Sequence, residues 1–230
     1  MQIKFNTIHV WAGSLDITEA QAIEQQEILS VDERDQASRF KFPIHRLRYI
    51  AAHHQLRRIL SFCTGIPADA ITFGYSEHRK PYITNTEATQ HQFNISHSDN
   101  RAVYAVGLNH PLGIDIEKVR NKCNMDVVDR FFSELERSLL AKLNGEDLER
   151  SFYRVWSRKE AIIKATGKGL SQKLSSFSVA ITDVPETITV DNQEWKISAL
   201  AIDSRFQAAL AYHPSIENII LQSSDDLAGK

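Results

Sequence analysis

A chain of 230 residues can form one large domain or two small ones, and 42% apolar with 24% charged residues is the balance of a globular protein. A formal net charge of −2 excludes a general nucleic-acid binder, which would be strongly basic. No run approaches the roughly 20 apolar residues of a membrane span, the first residues lack an export-signal pattern, and Cys63 and Cys123 have no metal-ligand spacing, so a reducing cytoplasm is the expected location.

In chain order, Ile3 to Ala12 alternates as a strand, with Ile8 and Val10 on one face. Asp16 to Leu29 is amphipathic and reads as a helix. Ser30-Val31-Asp32-Glu33 is a helix start, a serine cap followed by acids that suit the helix dipole; that helix runs toward Lys41. Pro43 interrupts, and a long helix covers His45 to Thr64, closed by Gly65-Ile66-Pro67. Ile71–Tyr75, Phe93–Ser96 and Val103–Leu108 read as strands, and Asn109-His110-Pro111 turns the chain into a further strand, Gly113 to Glu117.

The second half has a similar composition. Met125–Phe132, Glu134–Leu143 and Leu148–Ala165 are helical, the last closed by Gly167-Lys168-Gly169. Phe177–Thr182, Thr187–Val190, Glu194–Ile202 and Gln207–Tyr212 are expected strands. Each half mixes helices with antiparallel-type strands, so the expected class is α+β, with two similar halves at 1–109 and 110–222 and a polar tail at 223–230. No internal sequence repeat is visible.

Two segments carry the chemistry. In Gly113-Ile114-Asp115-Ile116-Glu117 the carboxylates alternate, so Asp115 and Glu117 share one strand face and can converge on one cation. The same alternation is also that of an ordinary half-buried strand with its polar face in water. In Trp156-Ser157-Arg158-Lys159-Glu160-Ala161-Ile162-Ile163-Lys164, residues 156, 160 and 164 share one helix face. A solvated Glu–Lys pair explains part of that pattern, but the indole on the same face points to burial against protein or ligand. Two strand carboxylates, a helix carboxylate and a lysine are the parts of a magnesium-dependent site acting on a diphosphate. Arg48, the basic turn His78-Arg79-Lys80-Pro81, and Ser96-His97 at a strand end are candidate phosphate contacts. No Walker loop or dinucleotide fingerprint is present.

Together Phe93-Asn94-Ile95-Ser96-His97-Ser98, Gly113 to Glu117 and Trp156 to Lys164 resemble the three signature segments of 4′-phosphopantetheinyl transferases, in particular the long single-chain type of the surfactin-synthesis activator. Arg39-Phe40, Arg48, Lys80-Pro81, Arg130-Phe131-Phe132-Ser133, Gly167-Lys168-Gly169-Leu170, Ser176-Phe177-Ser178-Val179 and His213-Pro214 extend the resemblance over nearly the whole chain. It implies a monomer with an internal pseudo-twofold, coenzyme A between the halves, and transfer of phosphopantetheine to a serine of an acyl, peptidyl or polyketide carrier. Adenosine 3′,5′-bisphosphate would be released. It implies Asp115, Glu117 and Glu160 on Mg²⁺ (or Mn²⁺), and Asp115, Lys159 and Lys164 near the coenzyme A diphosphate. Arg48, Arg79, Lys80, Pro81, Ser96 and His97 would hold the nucleotide end. Glu160, or alternatively Glu136, would take the serine proton, and the basic segment Lys118-Val119-Arg120 with Lys122 would meet an acidic carrier. Glu33 and Gln36 stand where the family has lysines, and Arg79 where it has glycine. A different magnesium-dependent nucleotide hydrolase or transferase, and a coenzyme A sensor without turnover, are the competing readings.

Overall fold

The structure, a computed structural model, describes residues 3–227. The elements in chain order are β1 (Thr7–Ser14), α1 (Glu19–Gln25), α2 (Val31–Ser38), α3 (Pro43–Thr64), β2 (Phe73–Tyr75), β3 (Pro81–Ile83), β4 (His91–Ser98) and β5 (Arg101–Leu108). There follow β6 (Gly113–Lys118), α4 (Met125–Phe131), α5 (Glu134–Leu140), α6 (Gly145–Thr166), β7 (Glu186–Val190), β8 (Gln193–Ala199), β9 (Phe206–Tyr212) and β10 (Asn218–Ser223). The chain divides into two compact units. One comprises residues up to Gly74, Pro81–Asn109 and the chain from Asn218; the other comprises Tyr75–Lys80 and His110–Glu217.

In the first unit, a sheet of order β10-β1-β5-β4 carries α3 on one face. Trp11, Tyr104, Val106 and Phe93 of the sheet pack against Ala52, Leu56, Ile59 and Leu60 of the helix. β10 lies parallel to β1, so a segment expected in the second half or its tail completes the first sheet instead. In the second unit, a sheet of order β6-β9-β8-β7 carries α6, with Trp195, Ile197, Ala209 and Ala211 against Val155, Ala161 and Ile162. β6 is an edge strand, and Gly113 at its start is required by contact: a Cβ there would lie 2.1 Å from the Ala161 carbonyl oxygen and 2.3 Å from the Ala165 amide nitrogen. The missing side chain lets β6 lie directly on α6.

The two units repeat one plan that the sequence conceals. α3 and α6 are each 22 residues long and each ends at a left-handed glycine, Gly65 or Gly167. Eight residues before each glycine stands a buried cation, Arg57 or Lys159. Each cation meets a capping-box glutamate from the short helix before it. Ser30 and Glu33 cap α2, and Glu33 accepts from Arg57 Nε at 2.7 Å. Ser133 and Glu136 cap α5, and Glu136 pairs with Lys159 Nζ at 3.0 Å. Both cations also donate to two downstream carbonyls, Ala68 and Ile71 for Arg57, Leu174 and Phe177 for Lys159. Both sit over a phenylalanine ring, Phe73 or Phe177.

This network overturns one expected strand. Residues 177–182 are irregular, because the Val179 amide donates to Glu136 and the Ala180 amide to Glu186. Carboxylates take the hydrogen bonds that a neighbouring strand would have taken. The helix expected from Asp16 is shorter, starting at Glu19 behind the cap Thr18.

Candidate active site

The site is built from β6 and α6 of the second unit. Strand alternation puts Asp115 and Glu117 on the face that Gly113 shares with α6. On α6, Trp156, Glu160 and Lys164 follow one another at four-residue spacing. Lys164 Nζ donates to Asp115 Oδ1 at 2.7 Å, and Trp156 Nε1 donates to Glu117 Oε1 at 3.2 Å. The indole is fixed by Phe131 and Phe132, with ring centroids 5.8 and 6.5 Å away. Burial, and after it the Asp115 charge, push the Glu160 carboxyl up to about 7; Lys164 opposes this and Glu117 adds to it.

Whether these residues suit a divalent cation follows from their chemistry. Glu160 has no hydrogen-bond partner among the described residues, although it is half-buried and two further carboxylates repel it. A divalent cation would relieve that repulsion, and oxygen donors are what Mg²⁺ and Mn²⁺ take. Among the described residues no three His, Cys, Asp or Glu side chains are gathered tightly enough to cage an ion by themselves. Mg²⁺ does not need such a cage, since it commonly takes one or two carboxylates together with waters and substrate phosphates. The set fits.

Other expected contacts lie elsewhere. Lys159 and Glu136 are both fully buried and paired with each other. Glu136 also accepts from the Ser133 and Val179 amides, so it holds the scaffold and has no access to a serine substrate. Lys159 is likewise an internal tie and not a diphosphate contact. The sequence places Lys159 next to Glu160, but adjacent helix residues point about 100° apart. Lys80 is half-buried, donating to the carbonyls of Leu112 and Ala165 at 2.9 and 3.3 Å, and desolvation lowers its pKa to about 8. It ties the 75–80 turn to the start of β6 and the last turn of α6. Pro81 opens β3, and Arg79 is exposed in a left-handed conformation, φ 64°.

In the first unit, Arg48 donates to Asp99 at 2.8 Å and to Asp16 at 3.4 Å, two partners that sequence reasoning missed. Ser96 is buried and His97 exposed, as their adjacent positions on β4 require. Glu33 points inward to Arg57 and His53, whereas Gln36 is exposed. Glu33 is therefore a scaffold residue.

Comparison with known proteins places both units in described families. Residues 111–212, which open just before β6 and close with β9, match the family described as the 4′-phosphopantetheinyl transferase superfamily. Residues 16–108 match the family described as 4′-phosphopantetheinyl transferase, N-terminal. The chain is 35% identical over 206 residues to the 4′-phosphopantetheinyl transferase HetI of Nostoc sp., covering 89% of this chain and 86% of that protein. The chain belongs to the 4′-phosphopantetheinyl transferases. It is also 33% identical over 205 residues to Sfp of Bacillus subtilis, with 86% and 89% coverage, and 33% over 192 residues to psf-1 of Bacillus pumilus, with 82% and 81%. The α+β units are accordingly those of the phosphopantetheinyl transferase fold, and the chain is an enzyme of that class, acting on carrier proteins. The boundary between the two matched segments, at 108 and 111, falls at the same turn as the boundary between the compact units.

Proposed function

We propose that this transferase moves 4′-phosphopantetheine from coenzyme A to a serine of an apo acyl, peptidyl or polyketide carrier, with Mg²⁺ bound by Asp115, Glu117 and Glu160. The observation that carries the reading is that the Asp115 and Glu117 charges both act on the half-buried Glu160 carboxyl while Lys164 pairs with Asp115, a charge arrangement that a cation and a diphosphate would complete. The serine oxygen forms a bond to the phosphorus that bears the pantetheine arm. The bond from that phosphorus to the bridging oxygen breaks, and adenosine 3′,5′-bisphosphate leaves with the electron pair. When bound, Mg²⁺ supplies charge neutralisation at the diphosphate.

This chain's residues do the rest. Lys164 adds a second positive charge for the diphosphate, at the expense of its bond to Asp115. Glu160 is also the candidate general base for the serine, directly or through water, because it stands on the face where the diphosphate would lie and has no buried tie of the kind that holds Glu136. Glu136 is excluded from that role by complete burial and its ties to Lys159 and two amides. Arg48, Ser96 and His97 are proposed for the nucleotide end, where a 3′-phosphate would compete with Asp99 and Asp16 for the Arg48 guanidinium. The exposed Arg120, Lys122, Met125 and Leu135 offer the mixed basic and apolar surface that an acidic carrier helix needs.

The test is intact-mass analysis of an apo acyl carrier protein and an apo peptidyl carrier domain. Each is incubated with enzyme, coenzyme A and Mg²⁺, with and without chelator. A metal-dependent gain of one phosphopantetheine supports the proposal. Modification that survives chelation removes the metal from it, and no modification of either carrier counts against this donor–acceptor pair.

A further inference from the structure

We infer that Trp156 is a positioning residue for the cation site, its indole N–H fixing the Glu117 carboxylate in the orientation that receives the metal. The inference rests on the reading that Asp115, Glu117 and Glu160 bind a divalent cation. The chain has three tryptophans. Trp11 and Trp195 are fully buried in the two hydrophobic cores, and the Nε1 of each has no hydrogen-bond partner among the described residues. They serve as apolar volume. Trp156 is different: it is half-buried, and its Nε1 donates to Glu117 Oε1 at 3.2 Å. Phe131 and Phe132 hold its ring from α4 and the residue after it, so the donor has a defined direction.

A carboxylate is planar, and fixing one oxygen restricts the direction of the other. Partners of this kind, one step removed from a metal, set the geometry of the ligands that touch it. The two strand carboxylates are held in contrasting ways. Asp115 is held by the Lys164 ammonium, a full positive charge that competes with an arriving cation. Among its contacts Glu117 accepts a neutral N–H, which orients the carboxylate without itself adding positive charge and is compatible with a dication on the same group. A tryptophan selected only to fill space between α4 and α6 would need no such alignment.

The experiment measures Mn²⁺ binding by electron paramagnetic resonance of the free ion, with coenzyme A present and no carrier, so the readout is not turnover. Two variants separate the donor from the ring. Trp156→Phe removes the N–H and part of the ring. Replacement of Trp156 by β-(3-benzothienyl)alanine keeps the bicyclic shape and exchanges N–H for sulfur. Both are expected to weaken Mn²⁺ binding about tenfold, the low end of the range for such partners, with near-UV circular dichroism of the benzothienyl variant unchanged. Wild-type affinity in the benzothienyl variant overturns the inference, whatever Trp156→Phe does, because the ring alone then suffices. Absence of Mn²⁺ binding in the wild-type enzyme overturns both this inference and the metal assignment beneath it, whereas intact wild-type binding with an intact variant overturns the Trp156 role alone.

Discussion

Replacing Lys159 by methionine tests whether this residue belongs to the scaffold or to the ligand. Methionine keeps the unbranched stem and its helix preference but removes the ammonium. That ammonium lies 3.0 Å from Glu136 and 2.8 Å from the carbonyl oxygens of both Leu174 and Phe177, with both charged side chains fully buried. In the variant Glu136 keeps the Ser133 and Val179 amides yet loses its counter-charge, and two carbonyls lose a donor. Breaking a buried pair from one side costs about 3–5 kcal/mol, so a loss of about 4 kcal/mol is expected, a large share of the roughly 5–15 kcal/mol that holds a domain. Adding Glu136→Gln removes the stranded charge and should restore at least about 1 kcal/mol, a coupling that a double-mutant cycle detects. The assay is urea unfolding of the two single variants and the double, with the KM for coenzyme A measured on whatever remains folded. Lys159→Met with stability within about 0.5 kcal/mol of wild type and a raised KM for coenzyme A would refute the internal tie and return Lys159 to the diphosphate.

Gly113→Ala should destabilise the second unit and weaken Mn²⁺ binding together, since a methyl group would drive β6 off α6 and carry Asp115 and Glu117 with it; normal metal affinity would show that the strand adjusts. The Glu33 carboxyl is held down to about 2: burial alone would raise it, but hydrogen bonds from His53 and the Ser30 amide and the charges of His53 and Arg57 prevail. A lowered acid pKa stabilises the fold above the ordinary value of 4.5 and loses that contribution as pH falls toward 2. Denaturation midpoints should therefore drop by the equivalent of about 2 kcal/mol between pH 5 and pH 3, and Glu33→Gln should flatten that slope; an unchanged slope counts against the shift. Arg48→Ala should raise the KM for coenzyme A more than that for its 3′-dephospho form, and equal effects on the two substrates would contradict the 3′-phosphate role. Glu160→Ala should abolish transfer while leaving the unfolding transition in place, and near-normal turnover would remove this residue from the mechanism.

Much of the site was legible because it lies in regular elements. Alternation in β6 and four-residue spacing in α6 identify Asp115, Glu117, Glu160 and Lys164 without knowledge of the packing. The element pattern already indicated the α+β class and the candidate phosphate contacts, and the resemblance to known segments added the transferase fold and the assignment of those contacts to a nucleotide end. What stayed hidden depends on contacts between distant segments. The Glu136–Lys159 tie joins α5 to α6 and then fixes residues 174–179, so apolar alternation there was mistaken for a strand. β10 pairs with a strand at the opposite end of the chain, which local pattern cannot reveal. The further partners of each capping glutamate were equally invisible: Ser30-Val31-Asp32-Glu33 announces a cap, but not that Arg57 shares the capped oxygen and His53 meets the other one.

The shared plan of the two units means that the enzyme carries its own reference state. Counted back from the closing glycines, Trp156, Glu160 and Lys164 of α6 correspond to His54, Arg58 and Phe62 of α3. The first unit therefore has the same long helix, buried cation and capping glutamate, but no acid on the corresponding face. Damage that follows from disturbing the common architecture should appear when Arg57 and Lys159 are altered in turn, in whichever unit is struck. Damage confined to the chemistry should arise only from the second helix, and comparing matched positions within one molecule separates the two effects without recourse to another protein.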